Sequence, residues 1–180
     1  MRVKIEKSKA EGAVIAPPSK SLAHRLMIAC ALSQKGGKVV GISDSEDMAA
    51  TLDCIKTLGI TSQKNGDTVT FKKDCENAET AENGAKTQGF ENGKNSEFAN
   101  DGNNEYLSGD CLKNAKVFDC RESGSTLRFF LPIAAAFFEK SVFVGSKRLL
   151  ERGVEVYEKA LGEKGVKVVC DGEKIALSGR

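Results

Sequence analysis

Two stretches of this chain open a helix in the same way, and the similarity runs on for tens of residues after each. The first is Pro17-Pro18-Ser19-Lys20-Ser21-Leu22-Ala23-His24-Arg25, and the second is Glu122-Ser123-Gly124-Ser125-Thr126-Leu127-Arg128. Arg25 and Arg128 are 103 positions apart (128 − 25), and so are the Leu58-Gly59 and Leu161-Gly162 pairs (161 − 58). A chain with this self-similarity folds as two copies of one supersecondary unit, each too small to bury its apolar face alone. Both copies place small polar residues and an arginine at a helix start, where free backbone amides and the positive end of the dipole favour an anion. The duplication predicts two anion-holding corners and a ligand with several negative charges.

Length and composition narrow the class. The 180 residues suffice for a buried core. Hydrophobic residues make up 40%, and no apolar run approaches a bilayer span, so a soluble globular protein without a membrane role is expected. Met1-Arg2-Val3-Lys4-Ile5-Glu6 alternates charge with β-branched residues and reads as a strand, not a targeting peptide. Six cysteines without a CxxC pair, beside a single histidine, do not assemble a zinc site, and no metal or other cofactor is expected. Reduced thiols in a cytoplasm account for them most simply. A net charge of +2 gives no general pull toward nucleic acid, so any cationic site is local.

Along the chain, short strands are expected around residues 2–6 and 12–16. Ser19 or Ser21 caps a first helix with a buried stripe of Leu22, Leu26, Met27, Ala29 and Cys30, ended by Lys35-Gly36-Gly37. Lys38–Ile42 forms a buried strand. Asp44 or Ser45 caps a second helix carrying Met48, Leu52, Ile55 and Leu58, and a hairpin turns at Asn65-Gly66. The second copy repeats the order: a strand over Val117–Cys120, a helix over 123–138 with a kink at Pro132, a strand over 142–144, a helix over 149–161, and a hairpin at Asp171-Gly172. Each unit is β-α-β-α-β-β, an α/β arrangement with two helices on one face of a small sheet. Between the copies, Asp74–Asp110 is rich in Asn, Gly and Glu and reads as a long surface excursion without a functional motif.

Ser21 and Arg25, at i and i+4, share a helix face, with Lys20 at the first turn. A lysine there has the wrong sign for the helix dipole unless an anion neutralises it. The competing reading is a solvated basic helix end. Gly124 allows close backbone approach to a ligand, with Arg128 one turn on; alternatively the glycine serves only a tight turn and Arg128 pairs with an internal carboxylate. Lys147, Arg148 and Arg152 follow a strand end, the edge at which α/β folds hold ligands. Cys120 reads as a buried structural thiol rather than a nucleophile.

The runs Pro17–Arg25, Glu122–Arg128 and Arg148–Arg152, in this order, resemble the N-terminal part of the 5-enolpyruvylshikimate-3-phosphate synthases (3-phosphoshikimate 1-carboxyvinyltransferases). The resemblance covers nearly the whole chain apart from 74–110. It implies the enolpyruvyl transferase fold, an inside-out α/β barrel of two domains with three such units each. Residues 1–18 then belong to the lower domain, and 19–180 form part of the upper one: unit one at about 19–73, an insertion at 74–110, unit two at about 111–180. The implied substrates are phosphoenolpyruvate and shikimate 3-phosphate. Lys20 matches a lysine touching both, Ser21 and Arg25 match shikimate-3-phosphate contacts, Gly124 and Arg148 match phosphoenolpyruvate positions, and Arg128 and Arg152 support them.

The implied enzyme is a cytoplasmic monomer of the aromatic amino-acid pathway. Its acid and base carboxylates, its Ser-Ser-Gln phosphate motif and its third upper unit are expected beyond Arg180, so the chain alone is expected to be inactive. Pro18, Glu122 and Gly153 depart from the family's usual Gly, Asn and Pro. Glu122 puts a negative charge beside an anion site and should turn away or pair with Arg121 or Arg25. The alternatives are the related UDP-N-acetylglucosamine enolpyruvyl transferases and a non-catalytic anion-binding domain.

Overall fold

The computed structural model describes residues 3, 4, 9, 11–72 and 114–179. The expected strand at 2–6 and the 74–110 excursion lie largely or wholly outside them. Four helices begin on a serine whose hydroxyl accepts the amide three residues on. Ser19 caps α1 (Lys20–Leu32), Ser45 caps α2 (Glu46–Thr57), Ser123 caps α3 (Gly124–Phe137) and Ser146 caps the short α4 (Lys147–Leu150). Each such cap is worth about 1 kcal/mol.

Unit one runs α1, β1 (Gly37–Val39), α2, β2 (Ser62–Asn65), β3 (Thr68–Phe71), and its sheet is ordered β1-β3-β2, antiparallel throughout. Unit two runs β4 (Lys116–Asp119), α3, β5 (Lys140–Val144), α4, α5 (Glu155–Gly162), β6 (Lys167–Cys170), β7 (Lys174–Ser178). Its sheet is ordered β4-β5-β7-β6, with β4 and β5 parallel and the other pairs antiparallel. The two sheets superpose in order once β4 is set aside, so β1, β3 and β2 answer to β5, β7 and β6.

Five expectations are corrected. Residues 12–16 form no strand, and Val14 and Ile15 are 96% and 100% exposed; no strand among the described residues offers them a ladder. Among the described residues unit one shows no lead strand answering to β4. The inward face of α1 is His24, Met27, Ile28 and Ala31, while Leu22 and Leu26 are 54% and 42% exposed and Ala29 lies outside. The strand expected over 38–42 ends at Val39, though Ile42 is buried. The first hairpin pairs Asn65 with Thr68, so its two-residue turn is Gly66-Asp67, one position later than expected. The helix expected over 149–161 is two helices, because Gly153 takes φ +73, a left-handed conformation that stops a right-handed helix. The α3 helix runs through Pro132, which faces outward.

One core spans both units. Phe118 of β4 stacks on Phe143 of β5 at 4.9 Å and meets the rings of Phe130 and Phe138 at an angle. Met27, Ile28, Met48 and Ile55 continue the same cluster from unit one. The α2 helix packs on α1, on α3 and on β4, so it is the seam between the repeats. That packing sets the N-termini of α1 and α3 side by side.

Candidate functional site

The second helix start is held by a clasp of backbone. After β4 the chain turns through Arg121, at φ +50, before Ser123 caps α3. The Arg121 carbonyl accepts the Ser146 amide at 2.7 Å, tying this turn to the one that starts α4. Gly145 makes that approach possible: a Cβ there would stand 2.7 Å from the Arg121 carbonyl oxygen and 2.9 Å from Leu149 Cδ2. The Arg121 side chain reaches across the seam to Glu46 and, at 2.6 Å, to Asp53, both on α2. The Glu46 carboxylate, followed by Asp53, raises the guanidinium's affinity for its proton, so this cation is fixed in charge and engaged in structure.

Three of the sequence-predicted residues meet at the start of α3. A Cβ on Gly124 would lie 3.2 Å from Arg152 Nη1 and 3.9 Å from Arg128 Nη1, so both guanidinium groups crowd over the glycine. The same point is 3.7 Å from Leu149 Cδ1, which seats α4 against α3. Among the described residues no carboxylate pairs with Arg128. Two cations beside the first-turn amides of α3 concentrate positive charge at this corner.

Lys20 and Arg25 lie on the adjacent helix start. Lys20 pairs with Asp47 of α2 at 2.6 Å, with both groups partly exposed. That carboxylate is the anion the helix dipole requires beside a first-turn lysine, and an exposed pair of this kind contributes about 0–1 kcal/mol, little enough for an incoming anion to compete. Arg25 donates to the Ser21 carbonyl at 3.3 Å and lies over the Phe129 ring at 5.5 Å. Phe129 follows Arg128, so Arg25 bridges the two helix starts. Ser21 is exposed at the first turn. Arg148 is exposed on α4, next to Leu149 in the chain, and is not among the groups that crowd Gly124. Glu122 is exposed, while Arg121, one of its two expected partners, is taken up by Glu46 and Asp53.

Beneath this surface runs a feature that the sequence did not disclose. His24 Nδ1 is 2.7 Å from Thr51 Oγ1, which is 2.8 Å from Thr126 Oγ1, which donates to Ser123 Oγ at 2.7 Å. All four are buried. Burial lowers the His24 pKa; Asp47 opposes this and Lys20 and Arg25 add to it, so the imidazole is neutral at pH 7. Its position in the α1 stripe 24, 27, 28, 31 was the available signal. Cys120 is fully buried beside Cys54, whose thiol donates to the Asp119 carbonyl at 3.5 Å; hydrogen bonding to Cys120 and burial push the Cys54 pKa up. These are structural thiols.

The family model for EPSP synthase (3-phosphoshikimate 1-carboxyvinyltransferase) matches residues 5–92. A 3-phosphoshikimate 1-carboxyvinyltransferase of Clostridium beijerinckii is 34% identical over 165 residues, which is 92% of this chain and 32% of that protein. One from Clostridium novyi is 31% identical over 98% of this chain and 35% of its own length. Over nearly its whole length the chain is similar to the EPSP synthases. It spans about a third of the length of the curated relatives it matches. The EPSP synthase of Acinetobacter baumannii, 18% identical, aligns with a TM-score of 0.59 over 93% of this chain and 32% of its own, which shows the fold to be that of the enolpyruvyl transferases. Among the described residues no helix is long and apolar enough to cross a membrane.

Proposed function

We propose that this chain forms the anion-holding part of an enolpyruvyl transfer site, binding shikimate 3-phosphate and phosphoenolpyruvate against the N-termini of α1 and α3. The observation that carries the reading is the convergence of Arg128 and Arg152 on Gly124, beside Arg25 and Lys20. Two substrates that both bear phosphate and carboxylate groups need several fixed cations in one place. In the reaction of this family, carbon 3 of phosphoenolpyruvate gains a proton while the 5-hydroxyl of shikimate 3-phosphate, giving up its own proton, adds to carbon 2. Inorganic phosphate and a proton then leave, restoring the double bond in the product. Lys20, Ser21 and Arg25 hold shikimate 3-phosphate, and Gly124 and Arg148 hold phosphoenolpyruvate, with Arg128 and Arg152 neutralising charge that builds on its phosphate. Within this reading no carboxylate of the described residues moves the proton.

The two units are two of three in one domain of a two-domain enzyme. The exposed apolar outer face of α1, Leu22 and Leu26, supports a third unit that covers it. Among the described residues Cys30, Cys54, Cys120 and Cys170 are free thiols, which supports a reducing cytoplasm, and the protein is read as a monomer. Titration calorimetry with shikimate 3-phosphate, inorganic phosphate and UDP-N-acetylglucosamine tests the reading on the natural protein that carries this chain. Binding of shikimate 3-phosphate well above the other two is the expected result; preference for the nucleotide sugar, or no preference, overturns it.

A further inference from the structure

The start of α1 and the start of α3 belong to different repeats, yet one buried chain of hydrogen bonds joins them through α2. Its direction follows from counting protons. The Thr126 hydroxyl gives its one proton to Ser123 Oγ, which also accepts the Thr126 amide at 3.3 Å. Thr51 must therefore donate to Thr126. With its one proton spent, Thr51 can only accept from His24, whose Nδ1 then carries the hydrogen. The path runs one way, from imidazole to helix cap. Ser123 is the N-cap of α3, directly before Gly124, and His24 lies directly before Arg25.

The repeat shows that the fold does not require this histidine. Shifted by the 103 positions that relate Arg25 to Arg128, His24 falls on Leu127, which fills the equivalent buried slot at 3% exposure with no polar atom. Met27, Ile28 and Ala31 fall likewise on Phe130, Leu131 and Ala134, so the inward stripe is otherwise apolar in both copies. A buried imidazole in one copy alone has a use beyond packing.

We propose that His24 is a positioning residue, whose Nδ1–H, relayed through Thr51 and Thr126 to Ser123, fixes the Gly124 end of α3 against the Lys20–Arg25 end of α1. It rests on the reading of these ends as the binding site. A ligand that spans both corners feels their separation, and a buried relay with each proton assigned permits one separation.

The histidine is the chain's only one, so its ring signals are unambiguous. Long-range proton–nitrogen NMR at neutral pH should find Nδ1 protonated and Nε2 bare; the opposite tautomer overturns the relay. Binding of shikimate 3-phosphate by the natural protein is then measured for His24→Leu, His24→Asn and Thr51→Val, beside their Tm values. Leu fills the slot as Leu127 does but donates nothing, whereas the Asn amide nitrogen stands where Nδ1 stood but leaves a void. His24→Leu and Thr51→Val should weaken binding roughly 10-fold, the size expected for loss of one buried hydrogen bond. His24→Asn should bind within about 3-fold of the parent while melting lower than His24→Leu. Binding losses that simply follow the Tm losses overturn the proposal and leave the site reading intact. A parent protein that does not bind shikimate 3-phosphate removes that reading, and the proposal with it.

Discussion

His24 is neutral because burial disfavours its charged form, and this has a consequence for stability. Its folded pKa lies below the ordinary value of about 6.5 that it regains on unfolding. Between those two values the unfolded chain binds more protons, so stability rises with pH there. The contribution is complete above about pH 6.5 and declines as the pH falls below it. Urea unfolding at a series of pH values should show the midpoint dropping from about pH 6.5 downward, and His24→Asn should remove that part of the slope. An unchanged slope in the variant would assign it to carboxylates instead. Ser141 of β5 is a second buried polar position, its hydroxyl without a hydrogen-bond partner among the described residues. Ser141→Ala removes an unsatisfied group and little volume, so it should raise stability by about 1 kcal/mol. A loss of similar size in the same unfolding experiment would show that the hydroxyl is partnered in solution.

The turns before α3 and α4 act as one device, since the Arg121 carbonyl holds the Ser146 amide. Gly145→Ala places a methyl 2.7 Å from that carbonyl oxygen. The obstruction is backbone, which cannot rotate aside as a side chain can. The variant should lose about 1–3 kcal/mol in chemical denaturation, and shikimate-3-phosphate binding should weaken with it because Leu149 and Arg152 shift relative to Gly124. Gly172→Ala, where no atom lies within 4 Å but φ is +86, should cost about 1 kcal/mol and leave binding unchanged. Equal effects on binding would mean that the clasp does not position the site.

The duplication made most of the architecture legible, because helix starts are local: Ser19, Ser45 and Ser123 cap their own helices whatever lies around them. The offset holds through α1 and α3 and through β1 and β5, and then slips by two residues at β2 and β6. What the sequence concealed depends on neighbours. Leu22 and Leu26 are as apolar as Met27 and Ile28, and only the packing of α2 and α3 decides which side of α1 is inside. Residues 12–16 have the composition of a strand, but none of the described strands pairs with them. Gly153 looked tolerable inside a helix until its left-handed conformation divided it. At the site, the charge-bearing residues were readable from motif and spacing, whereas Asp47, Arg121 and the Thr51–Thr126 contact join positions far apart in sequence.

In the proposed function Lys20 stands where two substrates' charges meet; in the structure its ammonium pairs with Asp47. The decisive comparison is kcat/KM for enolpyruvyl transfer by the natural protein, by Lys20→Met and by Lys35→Met. Methionine keeps most of the stem's volume without the charge. Lys35 is exposed in the turn that follows α1, at the opposite end from the site. Losing one charge-assisted contact in a closed cleft costs about 2–4 kcal/mol, so Lys20→Met should fall roughly 30- to 1,000-fold. Lys35→Met should stay within about 2-fold of the parent, as befits a solvated charge. Equal losses in the two variants, or no loss in either, would contradict the anion site at the start of α1 and leave Lys20 as a solvated helix end.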